Sequence, residues 1–136
     1  MDCIFCKIIN GDIPASKVYE DEDFIAILDI RPVNLGHTLL IPKQHNRNIL
    51  DTPDDLGAKI YPLLKKLSIA IMKGLSADGI NIIQNNEEYG GQEVFHSHLH
   101  IIPRFKEDGL RFTPRNLTYD SDDIKNDIIN KIRSAL

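Results

Sequence analysis

Val94-Phe95-His96-Ser97-His98-Leu99-His100-Ile101-Ile102-Pro103 carries imidazoles at three alternate positions, His96, His98 and His100. Successive side chains of an extended backbone point to opposite faces. A strand over residues 95–102 therefore sets the three imidazoles on one side of a sheet and turns Phe95, Leu99 and Ile101 toward a core. Imidazole titrates near neutrality without help and serves as nucleophile, acid, base or metal ligand. The chemistry is expected on this strip.

Working outward, the neighbouring segments read as an antiparallel sheet with helices. Strands are expected at residues 18–19 and 24–28, around the acidic turn Glu20-Asp21-Glu22-Asp23, and at 37–41, entered by Gly36 and closed by Pro42. A further strand at 80–84 is joined to the histidine strip by the polar loop from Asn85 to Gln92. Between them Leu56, Ile60, Leu63, Leu64, Leu67, Ile71 and Leu75 recur at helical spacing over residues 54–75. Thr52 offers an N-cap, Pro53 a first helical residue, and Asp54 and Asp55 the acid that suits a helix N-terminus. Pro62 lacks a backbone donor and is expected to bend or divide that helix. Ile124, Ile128 and Ile132 mark a short C-terminal helix capped by Asp120 or Ser121. The fold class is α+β, with a mostly antiparallel sheet, one longer central helix region and a short C-terminal helix.

At 136 residues the chain reads as a single domain, 1–136, long enough to bury a core without staples. A formal charge of −4 gives no basic surface for a nucleic-acid polymer. The N-terminus lacks the pattern of a signal peptide, and no apolar run approaches the roughly 20 residues of a membrane helix. Two cysteines, Cys3 and Cys6, cannot make a disulfide framework. A reducing, cytoplasmic setting is expected, with no membrane partner.

Three histidines in register argue against a merely solvated strand face. One three-histidine metal site is disfavoured too: at roughly 3.4 Å per residue, His96 and His100 stand about 13 Å apart along a regular strand. Zinc–nitrogen bonds of about 2 Å do not gather both ends on one ion. The imidazoles are expected to divide their labour.

The strip matches the His-x-His-x-His-x-x signature, x being apolar, and resembles the histidine triad (HIT) family of nucleotide hydrolases and transferases. Cys3-Ile4-Phe5-Cys6-Lys7-Ile8-Ile9, Ile13-Pro14-Ala15, Tyr19-Glu20-Asp21, Gly36-His37-Thr38, Ile41-Pro42-Lys43-Gln44-His45 and Gly91-Gln92 are similar to further family blocks in the family's order. The resemblance covers about residues 3–105. The tail, 106–136, carries little of it.

The resemblance implies that His98 is the nucleophile on the α-phosphorus of a nucleotide. It implies that His100 and His37 contact the α-phosphate, and that Gln92 and the loop before it, with Asn85 at its start, lie on the phosphate side. A neutral imidazole suits the first role, since it attacks at neutral pH without an activating base. By the same resemblance Asp29 accepts from the ribose hydroxyls, and Phe5, Ile8, Ile27, Leu28 and Ile30 form an apolar pocket for a purine base. Taken one at a time, those five apolar residues read equally as ordinary core. Glu93 departs from the serine common in relatives, and a carboxylate there would repel a phosphate or act on a leaving amine.

Cys3-x-x-Cys6 has zinc spacing but is half a site. A redox dithiol and a pair of buried free thiols are the other readings. The family's zinc-bearing members imply His45 and His96 as the remaining ligands of a structural zinc that the chemistry does not need. The resemblance also implies a homodimer. The expected activity is hydrolysis of a nucleoside 5′-monophosphate from an amine (a phosphoramidate) or a polyphosphate, through a nucleotidyl-histidine intermediate. A dinucleoside polyphosphate hydrolase, a non-catalytic nucleotide-binding regulatory protein and a zinc-dependent interaction module are the alternatives.

Overall fold

The computed structural model describes residues 2–136. Its five strands are β1 (Lys17–Glu20), β2 (Phe24–Leu28), β3 (Thr38–Pro42), β4 (Gly79–Ile83) and β5 (Leu99–Arg104). They form one sheet in the order β1-β2-β3-β5-β4, and each neighbouring pair is antiparallel. Three helices accompany it: α1 (Ile4–Ile9), α2 (Asp54–Leu75) and α3 (Asp122–Ala135). None of the described helices is long and apolar enough to cross a membrane.

The pleat sorts the core into two layers. Phe24, Ala26, Leu40, Leu99 and Ile101 pack with Leu56, Leu63, Leu64, Leu67 and Ile71 of α2 on one face. Ile25, Ile27, Leu39 and Ile41 pack with Phe5 and Ile8 of α1 on the other. Covered on both sides, β2 and β3 are near-continuous apolar runs rather than alternating ones. His100 pairs with Leu39 across β3 and β5, and paired residues share a face. That register puts His100 on the α1 side of the sheet.

The expected strand over 95–102 is corrected: β5 starts at Leu99, and residues 94–98 are irregular. Tertiary hydrogen bonds pull this segment out of the ladder. Ser97 N–H donates to the Asn46 carbonyl at 2.7 Å, and Gln92 Nε2 donates to the carbonyls of Arg47 and Val94. Phe95 consequently does not enter the core but stands 43% exposed, with the Arg47 guanidinium over its ring. Leu99 and Ile101 are buried as expected.

Two features of α2 also differ from expectation. Thr52 is not its N-cap; Pro53 is, without a side-chain cap bond. The Thr52 hydroxyl is committed instead to the Asn48 carbonyl at 2.8 Å and accepts from Asn46 Nδ2. Pro62 does not divide the helix, which runs unbroken through it. Pro62 and Ala58 are both exposed, so water can serve the Ala58 carbonyl that Pro62 leaves without a donor. Buried leucines on either side hold both halves to the sheet.

Helix α1 had no periodic signal in sequence, being a turn and a half long. Cys3 caps it, its Sγ accepting from Cys6 N–H at 3.4 Å. Gly36 enters β3 at φ +96, a backbone conformation that strains any L side chain, and a Cβ there would also displace the Leu75 side chain, whose Cδ1 would lie 2.2 Å away.

The tail begins at a knot around Asp108. Its carboxylate accepts from the Arg104 guanidinium, Asn34 Nδ2 and the amides of Phe105 and Leu110. The Arg104 charge and these bonds hold its pKa well below the usual carboxylate range. Beyond it the chain is exposed until Ser121 caps α3 through Ile124 N–H. Ile124, Ile128 and Ile132 form the expected stripe on α3 and are exposed in the isolated chain.

Candidate active site and metal centre

Between α1 and the ends of β2, β3 and β5 lies a cleft of about 490 Å³. Phe5, Ile8, Ile27, Leu28 and Ile30 line its apolar part, and Asp29, His37, Asn85, His98 and His100 its polar part. Phe5, Ile8 and Ile27 are at the same time members of the core, so the two sequence readings of these residues coincide. Ile30 stands at the rim, 90% exposed. Glu93, Val94, Arg31 and Val33 also line the cleft; nothing in their local pattern set the last three apart from ordinary loop residues.

The hydrogen-bond partner that each ring meets decides which of its nitrogens carries a lone pair. His98 Nδ1 lies 2.7 Å from the His96 carbonyl. A carbonyl only accepts, so this nitrogen carries the proton and Nε2 keeps the lone pair. The amide of Val33 donates to His37 Nδ1 at 3.3 Å, which places the proton of neutral His37 on Nε2. That proton is donated to His100 Nδ1, 2.9 Å away, and His100 keeps a hydrogen on Nε2. Asp29 Oδ2 lies 3.6 Å from His37 Nε2, while its Oδ1 accepts from Arg31 N–H. The backbone bond from Asp29 N–H to the His37 carbonyl holds the two residues side by side.

Burial favours the neutral form of all three rings. It pushes the pKa of His98 down against the opposing pull of its carbonyl bond and of Asp29. It pushes His37 down as well, against Asp29. His100 falls furthest, to about 4, through burial and then through the neighbouring charges of His98 and His37. A neutral imidazole with an unencumbered Nε2 beside an N–H donor can attack an electrophilic centre and bind the charge that develops there.

Gln92 sits elsewhere. It is 4% exposed and absent from the cleft wall. Its Oε1 accepts from Asn48 Nδ2 and Glu87 N–H, and its Nε2 donates to Arg47 and Val94. With both amide ends committed internally, it fixes the loop that leads to the histidines. Asn46 and Asn48, buried at the centre of the same network, escaped the sequence reading because a structural asparagine looks like any loop asparagine.

The remaining imidazole faces a different group. His96 Nε2 donates to the Pro42 carbonyl at 2.7 Å, leaving the Nδ1 lone pair free. Nδ1 lies 3.4 Å from Cys3 Sγ, 3.6 Å from Cys6 Sγ and 3.0 Å from His45 Nδ1, and Cys6 Sγ lies 3.4 Å from His45 Nδ1. A tetrahedron with bonds of about 2.0–2.3 Å to zinc has edges of roughly 3.3–3.8 Å. The two thiols and two imidazoles therefore fit Zn²⁺ as a closed four-ligand centre. Phe5 packs edge-on against both His96 and His98 and stands between this tetrad and the cleft.

A fold of this order, carrying five histidines in two such groups, defines a class. The HIT domain family model matches residues 10–107, and the chain belongs to that family. It is 44% identical to "Protein hit" of Bacillus subtilis over 136 residues, covering 99% of this chain and 92% of that protein. It is 43% identical to the adenosine 5′-monophosphoramidase hnt1 of Schizosaccharomyces pombe, over 79% of this chain and 78% of that one. The same identity to the adenylylsulfatase HINT3 of Arabidopsis thaliana covers 80% of this chain and 55% of that protein. Among solved structures, a HIT family member from Bacillus subtilis superposes with a TM-score of 0.93 at 42% identity, covering 100% and 98% of the two chains. A zinc-bound histidine triad protein from Mycobacterium smegmatis does so with a TM-score of 0.78 at 41% identity, covering 100% and 99%.

Proposed function

We propose that this chain hydrolyses conjugates of a purine nucleoside 5′-monophosphate, with His98 as nucleophile. One observation carries the reading: His98 is anchored through Nδ1 and presents the lone pair of Nε2 beside the His37–His100 pair. Nε2 attacks the α-phosphorus, the bond to the leaving group breaks, and the leaving group departs with the electron pair and takes up a proton. A water molecule then attacks the nucleotidyl-imidazole. The P–N bond breaks, the monophosphate is released and neutral His98 is restored. His100 donates its Nε2–H to the phosphate oxygens, and His37 fixes the tautomer that makes this donation available. Asp29 receives the ribose hydroxyls, Asn85 lies on the phosphate side, and Phe5, Ile8, Ile27, Leu28 and Ile30 enclose the base. Gln92 acts as a positioning residue.

The phosphoramidate class is favoured over dinucleoside polyphosphates by Glu93 on the cleft wall. Its carboxylate repels a second phosphate and suits a protonated amine. Zinc in the Cys3, Cys6, His45 and His96 tetrad would tie α1 to the histidine segment. It has no open position for substrate and takes no part in the steps above. The whole chain is taken as one domain working in the cytoplasm as a homodimer; β4 leaves one edge unpaired, and that edge with α2 is the proposed contact. Turnover of adenosine 5′-phosphoramidate and of a diadenosine polyphosphate by the wild type and by His98→Ala tests the reading. AMP release lost in the variant is the expected result. A folded wild type that binds AMP yet releases none from either substrate overturns it in favour of a binding protein.

A further inference from the structure

We propose that Asp29, His37 and His100 form a second transition-metal site, separate from the cysteine-bearing tetrad, at which Zn²⁺ or Co²⁺ binds in competition with the nucleotide. One donor atom from each of the three residues lies within 4.8 Å of the others. His37 Nε2 and His100 Nδ1 are 2.9 Å apart, and His37 Nε2 is 3.6 Å from Asp29 Oδ2. A tetrahedral ion with bonds of about 2.0–2.1 Å to nitrogen and oxygen needs donors roughly 3.3–3.4 Å apart. These two separations straddle that value and the third pair of donor atoms lies within 4.8 Å, so modest movements of side chains seat an ion. Two of the three donor atoms already carry a lone pair. Asp29 spends Oδ1 on Arg31 and leaves Oδ2 free, and His100 keeps its proton on the distal Nε2 when Nδ1 ligates.

Binding requires the proton of His37 to move from Nε2 to Nδ1, which gives up its bond to His100 Nδ1 and the long bond from Val33 N–H. These are two neutral hydrogen bonds set against three metal bonds. Two imidazoles and one carboxylate with further positions open to a cleft form a borderline donor set. It contrasts with the tetrad, whose two thiols favour a softer ion and whose four ligands close it. All three residues line the cleft, so the open positions face the space the nucleotide would use. The competition rests on the proposed nucleotide site; the metal site itself does not.

Zinc-loaded protein, one ion per chain in the tetrad, is titrated with Co²⁺. The expected result is a second equivalent that gives tetrahedral or five-coordinate d–d absorption without thiolate-to-metal charge transfer. Asp29→Asn and His37→Gln should each abolish it while retaining the tetrad ion, which doubles as the control for folding. AMP at ten times its dissociation constant should raise the apparent Kd for this second ion by about tenfold. A single equivalent in the wild type, or a second one that persists in both variants, overturns the site. A second ion indifferent to bound AMP overturns the competition alone. If AMP does not bind at all, the nucleotide reading fails and the competition with it, while the titration still decides the metal site.

Discussion

His96 and His98 are separated by one residue, yet they expose opposite nitrogens to opposite groups. His96 gives its Nε2 proton to Pro42 and turns Nδ1 to two thiols. His98 gives its Nδ1 proton to the His96 carbonyl and keeps Nε2 for the cleft. The side-chain type is identical; the carbonyl that each ring meets selects its tautomer, and the tautomer selects its chemistry. One end of the segment is thereby suited to holding a metal and the other to attacking phosphorus. Because the His96 backbone also accepts from His98, the two ends are mechanically joined.

The largest expected effect comes from removing the reacting end. His98→Ala should lower turnover of adenosine 5′-phosphoramidate by at least about a thousandfold, while calorimetry still detects AMP binding and metal analysis still finds one zinc per chain. Loss of zinc in this variant would break the division between the two ends. The reciprocal change, Cys6→Ser, should release the tetrad zinc and lower Tm by about 5–10 °C. Its residual turnover per folded molecule should stay well above that of His98→Ala.

A subtler effect is expected from acid. His100 has a folded pKa of about 4 against the ordinary 6.5. Between those values the unfolded chain binds a proton at this position that the native chain rejects. Stability is therefore fully present above about pH 6.5 and declines as pH falls toward 4. Urea unfolding at pH 7 and pH 5 measures the loss. His100→Asn should make it smaller; an unchanged loss would show that the ring is not held neutral by its surroundings. The smallest effect is predicted for the buried amide network that holds the loop leading to the histidines. Asn48→Ala removes the donor to Gln92 Oε1 and leaves that oxygen its bond from Glu87. It should cost about 1–3 kcal/mol of stability and change turnover by no more than about threefold.

The sequence by itself determined whatever depends on local period and on side-chain type. The antiparallel α+β plan, the α2 stripe from Leu56 to Ile71 and the burial of Leu99 and Ile101 all follow from spacing along the chain. Of the residues assigned to phosphate, ribose and base, all but Gln92 line one cleft. Only the tertiary structure decided what depends on partners distant in sequence. A strand over 95–102 satisfied the alternation of the histidines, but the bond from Ser97 N–H to the Asn46 carbonyl, behind a loop fixed by Gln92, broke it before Leu99. Thr52 had the chemistry of a cap and was taken by Asn48. Helix α1 was too short to leave a period, and it forms where Phe5 and Ile8 find the sheet. The lone pairs of the histidines belong to the same class. They are set by the carbonyls of Pro42 and His96 and by the amide of Val33, and no pattern along the chain records which groups folding brings to each ring.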